Sequence, residues 1–371
     1  MTDKVLITGG AGFIGSHLAR ALLARRYDVR VFDSLIEQVH GRPQASAAST
    51  LPPEVELQVG DIRDGGALGK ALKGIDKVVH LAAEVGVGQS MYAVDRYVSV
   101  NDHGTAVLLQ KLIERPVARI VVASSMSIYG EGLYRTQDGR NVEDAERSGA
   151  VSLGWDPIDE EGRPLVPAPT PEWKRPSLAS VYALTKYVQE RLTLTVASAY
   201  GMEGVALRLF NVYGTGQALS NPYTGVLAIF ASRLFNSKPP LLFEDGRQRR
   251  DFIHVGDVAA AFCTALEHPA AAGGVFNIAS GRDRTIVEVA RLLAQAMGRP
   301  DIEPEITGKA RAGDIRHCFA DVDKARSKLG FVAGQDFGQG LADLAEWVAR
   351  QQAEDRVEEA RRELEVRGLV A

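Results

Sequence analysis

The sequence predicts an α/β fold in which a doubly wound parallel sheet is followed by a smaller C-terminal lobe. Short apolar runs typical of buried strands alternate with segments of helical spacing, such as residues 14–25 and 105–114. Continuous apolar strands separated by helices indicate a parallel sheet that is covered on both faces. After Phe210 the chain becomes rich in Gly, Pro and Asn, which indicates that a second lobe begins there. The predicted strands cover residues 5–8, 29–33, 55–59, 78–81, 120–124 and 205–210.

The bulk composition is that of a soluble globular protein, with 45% hydrophobic and 24% charged residues. The net charge of −4 argues against nucleic-acid binding, which needs a basic surface. Cys263 and Cys318 make no disulfide framework and suit a reducing compartment, and Cys263 lies in an apolar stretch that predicts a core position. No apolar run approaches the ~18 residues of a membrane span, and the early first strand leaves no room for a signal peptide. We therefore expect a cytoplasmic protein with no membrane or nucleic-acid partner.

A glycine-rich turn joins the first predicted strand to the first helix. Gly9, Gly12 and Gly15 let the backbone approach a pyrophosphate, and the helix N-terminus, which includes Phe13 and Ile14, offers unpaired N–H groups. Asp33 closes the second strand at about the distance expected of a residue that accepts hydrogen bonds from the adenosine ribose. Its charge would repel the 2′-phosphate of NADP, and neither following residue is basic. The sequence therefore predicts a dinucleotide site that prefers NAD.

Two further strand ends complete the predicted cofactor site. Asp61 and Ile62 follow the third strand, where a side chain can meet the adenine edge. Leu81, Ala82 and Ala83 end the fourth strand, where small residues let a cofactor pass. An ordinary strand-end aspartate and simple core packing remain the alternative explanations.

A candidate acid–base pair follows much later in the chain. Tyr182 and Lys186 are at i and i+4, so both project from one face of a helix. A phenol titrates near ~10, and a nearby ammonium favours the phenolate, so the tyrosine can exchange a proton with a substrate hydroxyl. Ser125, at the end of the fifth strand, can hydrogen-bond the reacting oxygen. Together with the dinucleotide site, these residues predict hydride transfer at an alcohol or ketone.

These motifs, with His80-Leu81-Ala82-Ala83 and the run Arg208-Leu209-Phe210-Asn211-Val212-Tyr213-Gly214, resemble the extended short-chain dehydrogenase/reductase family. The similarity is to its nucleotide-sugar epimerase/dehydratase branch, and it covers nearly the whole chain. It implies a Rossmann fold, NAD as cofactor, a nucleotide-sugar substrate and a homodimer. By position in the motifs, Ser125, Tyr182 and Lys186 match the catalytic residues. Asn101 matches an active-site asparagine beside the cofactor, although a role in kinking its helix would also explain it.

The same resemblance implies the substrate contacts. Asn211 matches a residue that meets the diphosphate, and Arg250 and Arg311 match arginines that clamp it, which suits the planar guanidinium fork. Phe243 is similar to positions that pack on the nucleobase. One departure is Thr215, where the family usually has proline, and it puts the diphosphate loop in question.

The tripeptide Ser125-Met126-Ser127 bears on the reaction type. Sugar 4,6-dehydratases resemble one another in having Thr-Asp-Glu there, and many sugar-acid decarboxylases have a glutamate at the third position. This chain has no carboxylate in the tripeptide, so it resembles the 4-epimerases of dTDP- or UDP-(deoxy)hexoses, including dTDP-L-rhamnose 4-epimerase-like and UDP-glucose 4-epimerase-like proteins. In these, NAD takes a hydride from C4 and returns it, with no net redox change. A decarboxylase, a 4-ketoreductase and a non-catalytic NAD-binding regulator remain the alternatives, and regulators tend to lack the Tyr/Lys pair. No metal site is predicted.

The motifs divide the chain into two lobes and two additions. Residues 131–176 hold many prolines and charges and little periodicity, so we expect an insertion that is partly ordered at best. It is either a surface decoration or a lid or subunit contact. The C-terminal segment, residues 351–371, is predicted to contain a charged helix over 354–367. This helix either presents a solvated face or makes a dimer contact. The dinucleotide domain is expected over 1–211 and 251–283, and the nucleotide-sugar lobe over 212–250 and 284–350.

Overall fold

A parallel seven-stranded sheet forms the centre of the protein, as the computed structural model shows. The structure describes residues 3–41, 51–147, 154–219, 221, 223, 225–311, 313–351 and 357–370. The strand order is β13-β9-β5-β4-β1-β2-β3, and all neighbours pair in parallel. The bounds are β1 Lys4–Thr8, β2 Asp28–Asp33, β3 Glu56–Val59, β4 Lys77–His80, β5 Arg119–Ser125, β9 Glu203–Leu209 and β13 Val275–Ile278. The predicted doubly wound α/β fold is therefore confirmed.

The chain reverses direction across the sheet between β1 and β4. From β1 it winds through β2 and β3 to one edge, and from β4 it winds through β5 and β9 to the other. A crevice opens at the carboxyl ends of the strands where such a reversal occurs. The fold itself therefore places a ligand site beside the glycine turn that follows β1.

Alternating side chains of β1 build the core on both faces of the sheet. Val5 and Ile7 pack in the cluster that contains the first helix, whereas Leu6 packs in the opposite cluster. All three side chains have no exposed surface. Burial of one such side chain stabilises the fold by about 1.5–3 kcal/mol, so the apolar runs fix the strands in this register.

The remaining elements cover the sheet and build the second lobe. The helices are Phe13–Ala24, Glu37–His40, Gly65–Ala71, Val87–Ser90, Val94–Tyr97, Gly104–Glu114, Val181–Ala199, Val226–Phe235, Val255–Glu267, Ile286–Ala296, Asp323–Leu329, Phe337–Val348 and Val357–Val366, with a π-helical turn Val98–His103 and 3₁₀ turns Met126–Tyr129 and Pro269–Ala271. The smaller strands are β6 Leu133–Arg135, β7 Asn141–Val142, β8 Val166–Ala168, β10 Asn211–Tyr213, β11 Leu241–Leu242, β12 Arg249–His254, β14 Asp283–Thr285, β15 Glu305–Ile306 and β16 His317–Cys318. Among the described residues, none of the helices combines the length and the apolar character needed to span a bilayer.

The second lobe has its own apolar core. Three helices, Val226–Phe235, Ile286–Ala296 and Phe337–Val348, pack together with Phe252 of β12. The helix Ile286–Ala296 begins at a capping box formed by Thr285 and Glu288. The side chain of each residue accepts a hydrogen bond from the backbone N–H of the other. Cys263, on the helix Val255–Glu267, is fully buried in the main core, as predicted, and both cysteines are free thiols.

The insertion, which the sequence predicts to be partly ordered at best, has regular structure in its described parts, 131–147 and 154–176. Strands β7, β6 and β8 form a small antiparallel sheet. The ammonium of Lys174, buried at 1% exposure, donates to the backbone oxygen of Tyr129 at 2.7 Å. Residues 148–153 lie outside the described residues. Isolated buried residues attach the insertion to the protein, and a continuous apolar face does not. Its sequence therefore lacks hydrophobic periodicity.

Candidate active site

The glycine turn packs against the end of β4 without room for side chains. Gly9 has φ 70°, and a Cβ there would lie 2.7 Å from the backbone nitrogen of Ala82. A Cβ on Gly15 would lie 2.5 Å from the Cα of Gly10. The helix Phe13–Ala24 starts at Gly12, which carries no capping side chain. The first-turn N–H groups therefore face the crevice at the strand ends, which fits a dinucleotide pyrophosphate.

Asp33 is held beside this turn by two backbone donors. Its Oδ2 accepts from the Ala11 N–H at 3.0 Å and its Oδ1 from the Leu35 N–H at 2.9 Å, and the residue is buried at 8% exposure. The imidazole of His40 lies 3.5 Å from Oδ1. The carboxylate of Asp33 is therefore fixed at the end of β2, beside the glycine turn. The sequence analysis missed His40 because it lies in the following helix and not next to Asp33 in the chain.

The other predicted cofactor residues divide into three groups. Leu81, Ala82 and Ala83 follow β4 directly beside Gly9, as expected. Asp61 pairs with Arg63 at 2.5 Å, and this hydrogen bond is the main cause that lowers the pKa of the carboxyl. The side chains of the third group contact other side chains and backbone of the protein. Ile62 is buried against Gly104, Ile14 packs on the main core, and the Phe13 ring packs edge-on against His17.

Asn101 is fully buried in the π-helical turn Val98–His103. Its side-chain oxygen accepts from the Glu84 N–H at 2.7 Å. Its amide nitrogen donates to the Glu84 backbone oxygen at 3.1 Å and to the Thr185 hydroxyl at 3.0 Å. Asn101 therefore ties the loop after β4 to the helix that carries the Tyr/Lys pair. This contact, in an irregular helical turn, agrees with the helix-kink explanation.

The helix Val181–Ala199, here called the Tyr–Lys helix, carries Tyr182 and Lys186. Ser180 caps it by accepting from the Ala183 N–H at 3.1 Å, and the Tyr182 N–H donates to the Ser90 hydroxyl at 3.0 Å. The helix packs on β5 and β9, which end at the same crevice. The fold therefore brings the pair to the same edge of the sheet as the glycine turn.

The side chains of Ser125 and Tyr182 lie next to each other, as the sequence analysis expects of a shared site. Burial raises the pKa of Tyr182, and the Ser125 side chain opposes part of this rise. The Ser125 oxygen also accepts from the backbone N–H of Ser127 at 3.2 Å and from its hydroxyl at 2.9 Å. Because the Ser125 oxygen accepts both of these bonds, the Ser125 hydroxyl can donate its own proton to a substrate oxygen at this position.

Lys186 does not bring the pKa of Tyr182 below its ordinary value in this structure, because burial raises that pKa. Lys186 is itself buried at 4% exposure, and this burial lowers its pKa to about 7. Its ammonium donates to the side-chain oxygen of Gln189 at 2.6 Å. Desolvation therefore dominates both members of the pair, a result that depends on burial depth and is not visible in the i, i+4 spacing.

Glu190 anchors the Tyr–Lys helix from the same face. It accepts from the Ser124 hydroxyl at 2.7 Å and takes two hydrogen bonds from the Arg208 guanidinium, at 2.7 and 3.0 Å. Arg208 in turn donates to the hydroxyl of Tyr129 at 2.9 Å. The sequence analysis missed both Gln189 and Glu190, although their spacing of three and four residues from Lys186 continues the same helix face.

The predicted substrate residues Arg250 and Arg311 meet at one carboxylate. Arg311 pairs with Asp314 at 2.9 Å, and Arg250 lies 3.7 Å from the other oxygen of that side chain. The guanidinium of Arg311 also lies 4.4 Å from the ring centroid of Phe243. The structure therefore brings these three predicted residues together, with Asp314 as a member that the sequence analysis missed.

Asn211 lies on β10, which pairs with β12, the strand that carries Arg250. Its side-chain oxygen is buried and has no hydrogen-bond partner among the described residues. An unpartnered buried amide oxygen is costly, so a ligand group that donates a hydrogen bond fits this position.

A buried charge cluster joins the insertion to the second lobe. The guanidinium of Arg316, at 1% side-chain exposure, pairs with Glu244 at 3.0 Å, with Asp245 at 2.5 Å and with Asp156 of the insertion at 2.7 Å. Arg147 of the insertion also pairs with Glu244, at 2.5 Å. These ion pairs therefore attach the insertion to the second lobe next to the Arg250/Arg311 group.

The helix Val357–Val366 has the solvated face that the sequence predicts, which includes Glu358 and Val366, and it buries Ala360 and Leu364 on its other face. Leu364 is buried at 7% exposure and lies against Gly88 of the short helix Val87–Ser90. Glu365 pairs with Lys309 of the second lobe at 2.9 Å. A small cavity between these elements is lined by Val87, Gly88, Met91, Arg311, Asp314, Leu364 and Leu369. Residues 354–356 of the predicted helix lie outside the described residues.

Comparisons with known proteins place these features in one family. The model of the NAD-dependent epimerase/dehydratase family matches residues 5–148 and 164–279. The dTDP-L-rhamnose 4-epimerase of Burkholderia thailandensis is 36% identical over 353 residues, covering 94% of this chain and 95% of that protein. The UDP-glucose 4-epimerase of Thermotoga maritima, solved with UDP-glucose, has a TM-score of 0.76 at 29% identity and covers 94% of this chain and 99% of its own. The Thermus thermophilus UDP-glucose 4-epimerase, solved with NAD, has a TM-score of 0.73 at 30% identity, over 94% and 100%.

The match extends over well more than half of the chain, and the Burkholderia relative is aligned with nearly all of it. The glycine turn and the buried Asp33 fit NAD, the cofactor of this family. The predicted resemblance is therefore confirmed: the chain belongs to the NAD-dependent epimerase/dehydratase family.

Proposed function

We propose that this protein is an NAD-dependent 4-epimerase of a nucleotide sugar, acting on a dTDP- or UDP-linked (deoxy)hexose. The observation that carries the proposal is that Ser125 and Tyr182 lie side by side, with Lys186 one turn away, at the sheet edge that bears the glycine turn. The tripeptide that starts at Ser125 has no carboxylate with which to eliminate water or to assist decarboxylation. The named 4-epimerases among the relatives support the same reaction.

Each member of the Ser/Tyr/Lys group has a role at the sugar C4. When bound, NAD accepts the hydride from C4 and returns it to the opposite face of the 4-keto sugar. Tyr182 takes the proton of the C4 hydroxyl and gives it back, and Ser125 hydrogen-bonds the same oxygen. Lys186, when protonated, favours the phenolate of Tyr182 and orients the nicotinamide ribose.

The proposed binding surfaces follow the two lobes. The dinucleotide domain, 1–211 with 251–283, holds NAD through the glycine turn, Asp33 and the ends of β3 and β4. The lobe of 212–250 and 284–350 holds the nucleotide diphosphate. The proposed substrate contacts are Asn211, Phe243, Arg250 and Arg311.

We further propose that the enzyme is a cytoplasmic homodimer. The two free, buried thiols Cys263 and Cys318 suit a reducing compartment, and the family resemblance supports the dimer. Light scattering of the purified protein would test the assembly, because a mass of one chain would reject it.

The reaction is tested with a panel of dTDP- and UDP-sugars whose products are followed by mass and by NMR. We expect an isomer of unchanged mass. Loss of carbon dioxide would instead mean a decarboxylase, and net consumption of reduced cofactor would mean a 4-ketoreductase. Substrate deuterated at C4 should keep its label in the product, and wash-out into a free pool of reduced cofactor would reject internal return.

The double variant Asp33→Ala/Ser34→Arg should shift the preference from NAD towards NADP by at least about tenfold, which is ~1.4 kcal/mol. The reason is that a carboxylate repels the 2′-phosphate and an arginine attracts it. Cofactor dissociation constants measure the effect. Ser34→Arg alone is the control, since it keeps the Asp33 acceptors for the N–H groups of Ala11 and Leu35. Unchanged preference in the double variant would remove Asp33 from the ribose site.

A further inference from the structure

Gln189 lies on the Tyr–Lys helix with no exposed surface, and every polar atom of its side chain is used. Its oxygen accepts from the Lys186 ammonium at 2.6 Å. Its nitrogen donates to the Thr105 hydroxyl at 2.8 Å and to the Ala82 backbone oxygen at 3.3 Å. A buried amide is tolerated only when it is satisfied in this way, so the site is built around this side chain.

These contacts fix which end of the amide faces Lys186. The backbone oxygen of Ala82 can only accept a hydrogen bond, so the amide nitrogen must point towards it. The amide oxygen is thereby directed at the ammonium of Lys186. A flipped amide would set two donors against each other at 2.6 Å.

The hydrogen bonds continue from Thr105 to the end of β1, immediately before the glycine turn. Thr105 is hydrogen-bonded to Nε2 of His80 at 2.8 Å, and Nδ1 of His80 to the Thr8 hydroxyl at 2.7 Å. Thr8 is the last residue of β1, immediately before Gly9. Burial lowers the pKa of His80 to about 3, so the imidazole is neutral and transmits hydrogen-bond geometry without adding charge.

Whether the side-chain nitrogen of Lys186 carries a charge depends on the few polar groups that face it. Glu190, from the same helix, raises its pKa, but that carboxylate is engaged by Arg208 of β9. His80 faces it from the end of β4 as a neutral ring, and the phenol of Tyr182 lies one turn earlier on the helix. A short hydrogen bond to an amide oxygen favours the charged amine in such surroundings.

We propose that Gln189 is a positioning residue of the reaction, which aims the ammonium of Lys186 and keeps it charged near neutral pH. It acts through Lys186 and joins that side chain to Thr105, His80 and Thr8 beneath the glycine turn. The role in turnover rests on the proposed function of the Tyr/Lys pair. The role in holding the ammonium does not.

The test compares Gln189→Leu, which removes the acceptor, with Gln189→Glu, which keeps an oxygen and adds a negative charge. Thr193→Val is the matched control, because this buried threonine on the same helix has a hydroxyl with no partner among the described residues. The titration of Lys186 is followed by NMR of protein labelled with ¹³C-lysine, with Lys186→Met to assign the signal. The pH profile of turnover is measured in parallel.

A hydrogen bond to a charged group is worth about 1.5–3 kcal/mol, which corresponds to roughly one to two pH units. Gln189→Leu should therefore move the Lys186 titration, and the alkaline limb of kcat, to lower pH by about one unit or more. Gln189→Glu should move both to higher pH. Thr193→Val should leave both unchanged.

An unshifted Lys186 signal in folded Gln189→Leu would overturn the proposal, as would a uniform loss of activity with no change in the pH profile. Should Gln189→Leu fail to fold, Gln189→Met, which preserves chain length, carries the same expectation. A shifted signal in a protein that turns over no sugar of the panel would reject the proposed function and retain the role of Gln189.

Discussion

Tyr182→Phe is expected to lower kcat by about 10²–10⁴-fold while the protein still folds and binds NAD. The substitution removes the hydroxyl that carries the C4 proton and keeps the ring. That ring packs edge-on against Tyr97, with centroids 6.4 Å apart, so its apolar contacts are retained. The loss is measured as turnover of the active sugar at saturating concentration, with bound NAD quantified in the same sample.

Tyr97→Phe is the matched control for this prediction. Tyr97 is the other ring of the same pair, is fully buried, and donates its hydroxyl to Gln89 at 3.3 Å, away from Ser125. Removal of this hydroxyl should cost stability and leave the proton transfer in place, so kcat should stay within a few-fold of the wild type. Full activity in Tyr182→Phe, or an equal loss in both variants, would reject Tyr182 as the acid–base group.

The sheet and the paired motifs were predictable from the sequence because their signals are local. Apolar runs such as that of β5, in which every residue is buried, indicate a strand covered on both faces. The glycine spacing records a steric requirement, since a side chain at Gly9 would meet the backbone of Ala82. The i, i+4 spacing of Tyr182 and Lys186 places both on one helix face whatever surrounds them.

The partners that set the chemistry were not predictable, because they depend on burial and on distant pairs. The sign of the Tyr182 pKa shift follows from desolvation, which a sequence does not report. In the sequence, nothing distinguishes Gln189 from other polar residues of a helix. Only the structure shows that its side-chain nitrogen contacts Thr105. Asp156 reaches Arg316 across much of the chain, and no periodicity marks that pair.

Arg316→Met is expected to lower the free energy of unfolding by about 3–5 kcal/mol, the range for removing one partner of a buried ion pair. Glu244, at 1% side-chain exposure, loses the guanidinium that pairs with it at 3.0 Å and keeps its pair with Arg147. Asp156 of the insertion loses its pair with Arg316 and keeps the one with His317, so the insertion should be held to the second lobe less firmly. Urea unfolding measures the loss, and Arg326→Met is the control, because the Arg326 side chain is 62% exposed and its pair with Asp323 should contribute little.

The pH dependence separates an unpaired buried charge from lost packing. Burial already raises the pKa of Glu244, and Arg316 opposes that rise, so the variant should raise it further. A carboxyl whose folded pKa lies above its unfolded pKa binds its proton more tightly when folded, so stability is lost as the pH rises through the folded value. The deficit of Arg316→Met should therefore shrink as the pH falls through the raised pKa of Glu244 towards the ordinary pKa of a glutamate. The addition of Glu244→Gln should recover part of it at neutral pH. A deficit that is constant with pH and unaffected by Glu244→Gln would assign the effect to packing of the arginine stem.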